Sequence, residues 1–482
     1  MDALEEAPGA GLAQVLQMSW PASLTMLNST MMKFVDGLMV SRIGPQPFAA
    51  QFIAGITSFV PESLLMGLLT VVNTYVSQNL GAGRSRRTGQ YAWAGLFIAL
   101  IAAAAMAPLA LAARPLFSFI GSLSQTGRPD PVMVGLETTY FRYMILGAAM
   151  ALSTQVLQQF FYGVHRPRVV FAVSLAANGF NVGANAVLIF GLMGFPAMGL
   201  RGAAMGTVLS WGLQAAILLA IFLHPHTARP FGTWQVWAVR RRQCVEILRL
   251  GWPAGVQLCN DIATWAVFTS VLVGYFGQVH LTASTAAMRW MGLSFMPTIG
   301  IGIATTALVG RQIGRGRPDL ARRRAHTALL AAMVYMGVCG IAFWLLRYPM
   351  VSAFVEVRPS AGVSADQAAR LTAEIVDIGA KILICAAVFQ LFDAVGIIYI
   401  GALRGAGDTL WPMLAMMLMS WTILLGGGLA AIRYFPQLTS LGPWIAASIY
   451  VILLGLVIAR RFESGAWRKI DLLKAQPSGQ VR

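Results

Sequence analysis

Long, continuous apolar segments recur along the sequence and constrain the fold more than any other feature. A helix that crosses the hydrocarbon layer of a membrane needs roughly 20 mostly apolar residues, and the segments approach or exceed that length. Only helices and closed barrels satisfy their backbone polar groups in hydrocarbon, and barrel strands alternate in polarity over about ten residues. The sequence therefore predicts an all-α polytopic membrane protein with twelve transmembrane helices. The segments lie near residues 15–40, 51–78, 90–112, 138–162, 169–191, 202–223, 250–276, 281–310, 326–346, 376–402, 410–432 and 443–460.

The composition agrees with a chain that faces lipid. Of the 482 residues, 57% are hydrophobic and only 11% are charged, whereas soluble globular domains carry about 25% charged residues. This is too little charge to cover a water-facing surface on a chain of this length. The four cysteines form no CxxC pair, so they indicate neither a disulfide framework nor a zinc site. They are Cys244, Cys259, Cys339 and Cys385.

The net charge of +17 is explained by topology rather than by nucleic-acid binding. Lys and Arg accumulate on the cytoplasmic loops of membrane proteins. The loops 2–3, 4–5, 6–7, 8–9 and 10–11 carry 17 of these residues, against 8 in the opposite loops, and 6 more follow Ala459. We therefore expect both termini in the cytoplasm and no nucleic-acid partner. The basic runs at 240–242 and 311–324 could also contact the anionic headgroups of membrane lipids.

The two halves of the chain resemble each other. An even number of spans per half gives a parallel repeat, which predicts two pseudo-symmetric six-helix lobes with the substrate path at their interface. The predicted organisation is a cytoplasmic N-terminus (1–14), an N-lobe (15–223), a cytoplasmic linker (224–249), a C-lobe (250–460) and a cytoplasmic tail (461–482). The repeated motifs are Ser19–Ser23 with Gly251–Gly255, Ser58–Pro61 with Ser294–Pro297, and Asn79–Arg84 with Gln312–Arg317.

Three acidic residues lie inside predicted spans: Asp36 in span 1, Asp261 in span 7 and Asp393 in span 10. Each costs about 2.5–3.5 kcal/mol at the centre of a helix on the insertion scale. This insertion free energy favours a water-filled cavity in which the acids bind cations or protons. The alternative is that some lie near an interface or pair with a permanent base. Lys33 is three residues before Asp36 on the same helical face, so the two could neutralise each other, or Lys33 could be an internal cation that a ligand or proton displaces.

Further polar residues are candidates for the same site. Glu62, beside a proline in span 2, could be a fourth acid. Asn181 and Asn185 in span 5 are four residues apart, so their amides could coordinate a cation, hydrogen-bond a carboxylate, or join helices as polar residues commonly do in membranes. Lys33, Glu62 and Phe389 are treated as candidate modulators. Asp377 and Lys381, also four apart, predict a local ion pair.

Signatures of catalysis are missing from the sequence. We find no GxxxxGK[ST] phosphate loop, no HExxH and no GxSxG, which are the patterns of nucleotide, zinc and serine chemistry. The sequence therefore predicts a protein that is not an enzyme and needs no cofactor. A membrane-embedded enzyme would require a catalytic His or paired acids near one interface.

Several segments together resemble the multidrug and toxic compound extrusion (MATE) family, in its bacterial NorM-like branch. The similarity extends from about residue 15 to 412. The strongest match follows span 10, at Gly401–Thr409. The other matching segments are Phe34–Val40 with Gly44 and Pro45, Ser77–Gly83, and Leu188–Gly191 with Gly202–Ala204.

The resemblance implies two six-helix lobes around a V-shaped central cavity, and antiport of small organic cations against Na+ or H+. It assigns coupling-ion and substrate binding to Asp36, Asp261, Asp393, Asn181 and Asn185, with Na+ held at the acids of spans 7 and 10. It also implies a monomer in the bacterial inner membrane. The span 7 acid is commonly Glu in this branch, and Lys33 is an unexpected neighbour. A lipid-linked precursor flippase and a metabolite or peptide exporter of the same superfamily are the alternatives.

Overall fold

The computed structural model describes residues 10–122, 130–238, 240–355 and 364–473. Throughout these ranges the regular elements are helices, which confirms the predicted all-α fold class. Twelve of them are long. They are α1 Ala10–Ser41, α2 Pro45–Gly81, α3 Ser85–Ala110, α4 Pro131–Gly163, α5 Pro167–Phe190, α6 Leu200–Leu223, α7 Arg241–Phe276, α8 Gln278–Gly314, α9 Pro318–Leu345, α10 Ala365–Ala406, α11 Leu410–Tyr434 and α12 Leu441–Glu463.

Within the described ranges, eleven helices, α2 to α12, are long and apolar enough to cross a membrane by length and composition. Helix α1 has 32 residues, which exceeds the roughly 20 that a span requires. It lacks the long apolar stretch that each of the others contains, because Lys33, Asp36 and several hydroxyl and amide side chains interrupt it. Helix α1 is therefore the twelfth predicted span: it is long enough to cross a membrane, but it is less apolar along its length than a span usually is.

Local sequence signals define the ends of α10. At its start, the Ser364 hydroxyl accepts from the Gln367 backbone N–H while the Gln367 side chain accepts from the Ser364 N–H, which is a capping box. At its end, Gly407 has φ 92°, a left-handed conformation that glycine adopts without steric penalty. The glycine-rich segment after span 10 is therefore a helix terminator, and it positions the short turn that leads to α11.

The described chain divides into two compact units. The C-terminal unit contains the described residues up to Ser23, with Asn260–Val309 and Pro318–Asp471. The N-terminal unit contains Leu24–Cys259 and Gly310–Arg317, with the described residues from Leu472 onward. Three of the boundaries pass through long helices: Ser23/Leu24 in α1, Cys259/Asn260 in α7 and Val309/Gly310 in α8. The first part of α1 therefore packs with the second half of the chain, whereas the first part of α7 and the C-terminal end of α8 pack with the first half.

The core of the C-terminal unit shows how α1 is held there. Val15 and Met18 of α1 are buried in an apolar cluster with Ile301 and Leu308 of α8 and with residues of α9 and α10. Small residues allow the helices to approach closely. A Cβ on Gly300 would overlap the backbone of Ser23, and in the N-terminal unit a Cβ on Gly67 would overlap Ala254.

These two close approaches are equivalent in the internal repeat, because Ser23 and Ala254 lie in the same repeated motif. A second equivalent pair lies in the N-terminal unit, where the C-terminal ends of α2 and α8 cross. A Cβ on Gly81 would overlap the Arg311 carbonyl, and a Cβ on Gly314 would overlap the Gln78 carbonyl. Small residues at helix interfaces permit such backbone contact in membranes, which explains why these positions recur in the sequence.

The turn between α4 and α5 carries a histidine with an unusual environment. His165 has φ 61°, and its Nδ1 lies 3.2 Å from the Gly163 carbonyl oxygen. Burial, together with the positive charges of Arg311 and Arg315, lowers the pKa of His165 to about 3. The folded protein therefore holds this imidazole neutral at physiological pH.

We expect His165 to make the folded state less stable in acid. Between pH 6.5 and about 3 the unfolded chain binds a proton at this position and the folded chain does not, so stability falls as pH decreases through this window. In His165→Asn, which tolerates the left-handed conformation, the decrease in apparent melting temperature between about pH 7.5 and about pH 5 should be smaller than in the unmodified protein. The exposed His226 is the control, and His226→Asn should leave the decrease unchanged. An identical acid response in His165→Asn would contradict the assignment.

Candidate functional site

Two of the three predicted acids lie within electrostatic range of each other in the C-terminal unit. Asp261 of α7 and Asp393 of α10 are half-buried and close enough for their charges to repel each other. Tyr450 of α12, 2% exposed, lies within electrostatic range of both carboxylates. No described basic residue lies within the 4.0 Å ion-pair distance of either acid. Like charges held together favour uptake of a proton or another cation, so this pair is suited to bind one.

Aromatic side chains surround the Asp261 end of this pair. The Trp265 indole lies within hydrogen-bonding range of Asp261, and its ring centroid lies 5.4 Å from that of Phe268 and 6.3 Å from that of Trp444. The fully buried Trp444 donates from Nε1 to the Ser284 hydroxyl at 3.0 Å. These contacts fix the indoles and leave an aromatic wall beside a carboxylate, an arrangement that attracts cations.

Both α7 and α11 contain a π-helical segment near this site, at Phe268–Val273 and Ser420–Gly426. Such segments occur frequently at functional sites. Asn260, the residue before Asp261, joins the two helices by donating from Nδ2 to the Ser420 hydroxyl at 3.0 Å and accepting from Trp421 Nε1 at 2.9 Å. Sequence reasoning missed these positions, although the adjacency of Asn260 to the acid was an available signal.

The third acid lies in the N-terminal unit with the predicted asparagines. The Asn185 amide donates to the Asp36 carboxylate at 2.6 Å and lies 3.3 Å from Asn181 Oδ1. The Thr207 hydroxyl of α6 is also within hydrogen-bonding range of Asp36. Asp36 is 6% exposed and both asparagines are fully buried. Close packing of α5 against α6 fixes the position of the Asn185 side chain, because a Cβ on Gly206 would overlap the Asn185 amide. Thr207 was not predicted, since nothing in the sequence separates it from other helical threonines.

The asparagine pair retains unused hydrogen-bonding capacity. Asn181 Nδ2 and Asn185 Oδ1 are buried and have no partner within the described part of the chain. Buried polar groups are normally satisfied, so these atoms are suited to hold a water molecule or an ion. Asn178 differs, because its amide donates to the Asn28 carbonyl of α1 at 3.0 Å. Asn178 therefore joins α5 to α1, whereas Asn185 contacts the acid and Asn181 contacts Asn185.

The structure separates Lys33 from Asp36. Although both lie on one face of α1, Asp36 contacts α5 and α6, while the Lys33 ammonium lies 5.2 Å over the Phe59 ring of α2. In the described residues no ion pair joins Lys33 to Asp36. Lys33 instead interacts electrostatically with Glu62, also of α2, which is 3% exposed. The self-neutralising Lys33–Asp36 pair, one of the two alternatives, is not formed.

Other charged residues in the spans have structural contacts. Lys381 and Asp377 form the predicted local ion pair at 2.6 Å, and both are exposed. The Arg142 Nε donates to the Ala110 carbonyl at 3.0 Å, and the Arg289 guanidinium lies 5.6 Å over Phe354.

Among the described residues, no group of three or more His, Cys, Asp or Glu side chains could hold a metal ion. A cation at the paired acids would therefore also need hydroxyl, amide or carbonyl oxygens.

Many long apolar helices and carboxylates without basic partners define the class as polytopic membrane transporters. The MatE family model matches residues 21–187 and 253–425, which is most of the chain, so the protein belongs to the MatE family. The two matched regions contain Asp36, Asn181, Asp261 and Asp393. The predicted family is thereby confirmed.

Individual relatives cover nearly the whole chain. A "Probable multidrug resistance protein NorM" of Burkholderia pseudomallei is 28% identical over 413 residues, 85% of this chain and 84% of the relative. A protein of the same name from Synechococcus is 26% identical over 456 residues, 94% of each chain. Two solved structures share the fold with a TM-score of 0.83: a MOP superfamily transporter from Pyrococcus furiosus, at 20% identity with coverages of 95% and 97%, and a MATE in the straight conformation, at 19% identity with the same coverages.

Proposed function

We propose that this protein is a secondary active multidrug efflux antiporter that exports small organic cations in exchange for Na+ or H+. The observation that carries the proposal is the carboxylate pair of Asp261 and Asp393, held on two helices beside aromatic rings without a basic partner among the described residues. The family membership and the multidrug resistance names of the relatives support the same function.

Coupling follows from competition for negative charge. When the carboxylates are ion-free, they attract either the cationic substrate or the coupling ion, but binding of one lowers the affinity for the other. A ligand shifts a conformational equilibrium only through its differential affinity for the two states. We propose that ion binding from outside displaces the drug, and that the lobes rock between inward- and outward-open states. The hydrogen-bonded Asp36 site would bind in the same cycle.

The location of the protein follows from the charge of its loops. We propose a monomer in the bacterial inner membrane with both termini in the cytoplasm, because the basic residues concentrate on the loops of that side. A lipid-linked precursor flippase is less well supported, because a pyrophosphate group would require a predominantly cationic site and the C-terminal unit instead presents two acids.

The proposal is tested by transport in vesicles that contain the purified protein. Ethidium movement should be driven by an imposed Na+ gradient or by an imposed pH gradient, and an ionophore that collapses the effective gradient should stop it. Protein-free vesicles are the control. If neither gradient drives ethidium, or any of several other organic cations, against its concentration gradient, the antiport proposal is wrong.

A further inference from the structure

Glu62 is the least explained acid in the N-terminal unit. It follows Pro61 in α2, is 3% exposed, and its Oε1 is buried without a hydrogen-bond partner within the described residues. A charged carboxylate in this position is expensive unless a cation compensates it. The Glu62 carboxyl group is therefore left with one oxygen that a cation could contact.

One tethered cation already lies beside it. The Lys33 ammonium is placed over the Phe59 ring, one helical turn before Glu62 on α2, and it interacts electrostatically with the Glu62 carboxylate. Lys33 forms neither an ion pair nor a side-chain hydrogen bond in the described part of the chain. It is therefore held by a ring face and by a charge, which are the two interactions that also hold an organic cation.

Tyr140 of α4 connects this position to the Asp36 site. Tyr140 is 7% exposed, its hydroxyl lies within hydrogen-bonding range of Gln51 of α2, and it lies within electrostatic range of both Asp36 and Glu62. Asp36 and Glu62 therefore have a common aromatic neighbour. Lys33, on the helix that also carries Asp36, is the one basic residue of this described group.

We propose that Phe59 and Glu62 form a second organic-cation site in the N-terminal unit, and that Lys33 occupies it as a tethered competitor. The inference rests on the proposed function and specifies its substrates. While Lys33 neutralises Glu62, the group formed by Lys33, Glu62, Tyr140 and Asp36 offers the single negative charge of Asp36, which suits a monovalent cation with an apolar or aromatic body. A cation that takes the Phe59–Glu62 position must first displace Lys33, so Lys33 selects against weakly binding and strongly hydrated cations.

Equilibrium binding of tetraphenylphosphonium to the purified protein, without any gradient, tests the inference. Lys33→Met keeps the length of the side chain and removes the competitor, so the dissociation constant should fall by about tenfold, or about 1.4 kcal/mol. Adding Glu62→Gln to Lys33→Met should reverse the gain. Glu62→Gln alone should weaken binding, because it leaves the Lys33 charge uncompensated. Lys33→Gln provides a second neutral variant.

Lys381→Met is the matched control, because Lys381 has an exposed carboxylate partner and lies on another helix. It should leave the affinity unchanged. An unchanged or weaker affinity in both Lys33→Met and Lys33→Gln, in protein that remains monodisperse, would overturn the inference. If those variants bind more tightly but no gradient drives transport, the site is supported and the antiport proposal fails. If gradients drive transport and the affinity is insensitive to Lys33, the inference alone fails.

Discussion

Asp393→Asn should abolish ion-driven export of ethidium while leaving the amount of folded protein in the membrane unchanged. The substitution keeps the shape of the side chain and removes the negative charge that the proposed coupling requires. A carboxylate and a cation in contact attract each other by about 4 kcal/mol at the effective dielectric constant near a protein surface, so without this charge gradient-driven transport should decrease by about 100-fold or more. Initial rates of ethidium movement in proteoliposomes under an imposed gradient provide the measurement.

Asp377→Asn is the matched control for this result. It makes the same chemical change on the same helix, but Asp377 is exposed and paired with Lys381, and an exposed pair contributes about 0–1 kcal/mol. Its transport rate should remain close to that of the unmodified protein. Asp261→Asn should resemble Asp393→Asn, and the double variant should be little worse than either, because groups that act as a unit are not additive. Full transport by Asp393→Asn would remove this acid from the coupling site.

Gly314→Ala should destabilise the protein, although alanine is the better helix former. The added Cβ would overlap the carbonyl, the carbonyl carbon and the Cα of Gln78, and backbone atoms cannot move aside as the end of a flexible side chain can. Forced overpacking of this kind costs about 1–3 kcal/mol. The apparent melting temperature of the detergent-solubilised protein should therefore fall, and Gly81→Ala, which meets the Arg311 backbone at the equivalent crossing, should act in the same direction.

Gly135→Ala separates this crossing effect from the general effect of alanine in helices. Gly135 lies inside α4, and a Cβ there would meet nothing within 4 Å, so the exchange should be neutral or should stabilise by up to about 1 kcal/mol. The double variant of Gly81 and Gly314 should be destabilised by less than the total of the two single effects, because one helix separation relieves both overlaps. A Gly314→Ala protein as stable as Gly135→Ala would show that the helices can separate there at no cost.

Much of the fold could be predicted because a lipid solvent imposes a strong one-dimensional pattern. Each span is a run of apolar residues, and the chain must form helices there to satisfy its backbone. The acids within those runs were equally visible, because a charge in an apolar segment is rare and expensive. Helix α1 shows the same relation from the other side. Spans are predicted from the mean hydropathy of a segment, and Lys33 and Asp36 lower the mean hydropathy of α1.

Partners across helices could not be predicted from that pattern. Three-residue spacing placed Lys33 and Asp36 on one face of α1, yet the structure directs Asp36 to Asn185 and Thr207 and directs Lys33 to α2. Periodicity defines a face but not which neighbouring helix that face meets. The rotation and crossing of each helix depend on close contacts between distant residues, such as that of Gly206 with Asn185.

The sequence by itself determined the solvent of this protein, its all-helical class and the presence of acids within its spans, because each of these follows from the polarity of local segments. The tertiary structure alone decided that Asp261 and Asp393 lie within electrostatic range of each other, that Asn260 joins α7 to the π-helical segment of α11, and that Lys33 lies over Phe59. These contacts bring together residues that are far apart along the chain. Only the packing of the helices sets their distances, and the chemistry of the site depends on those distances.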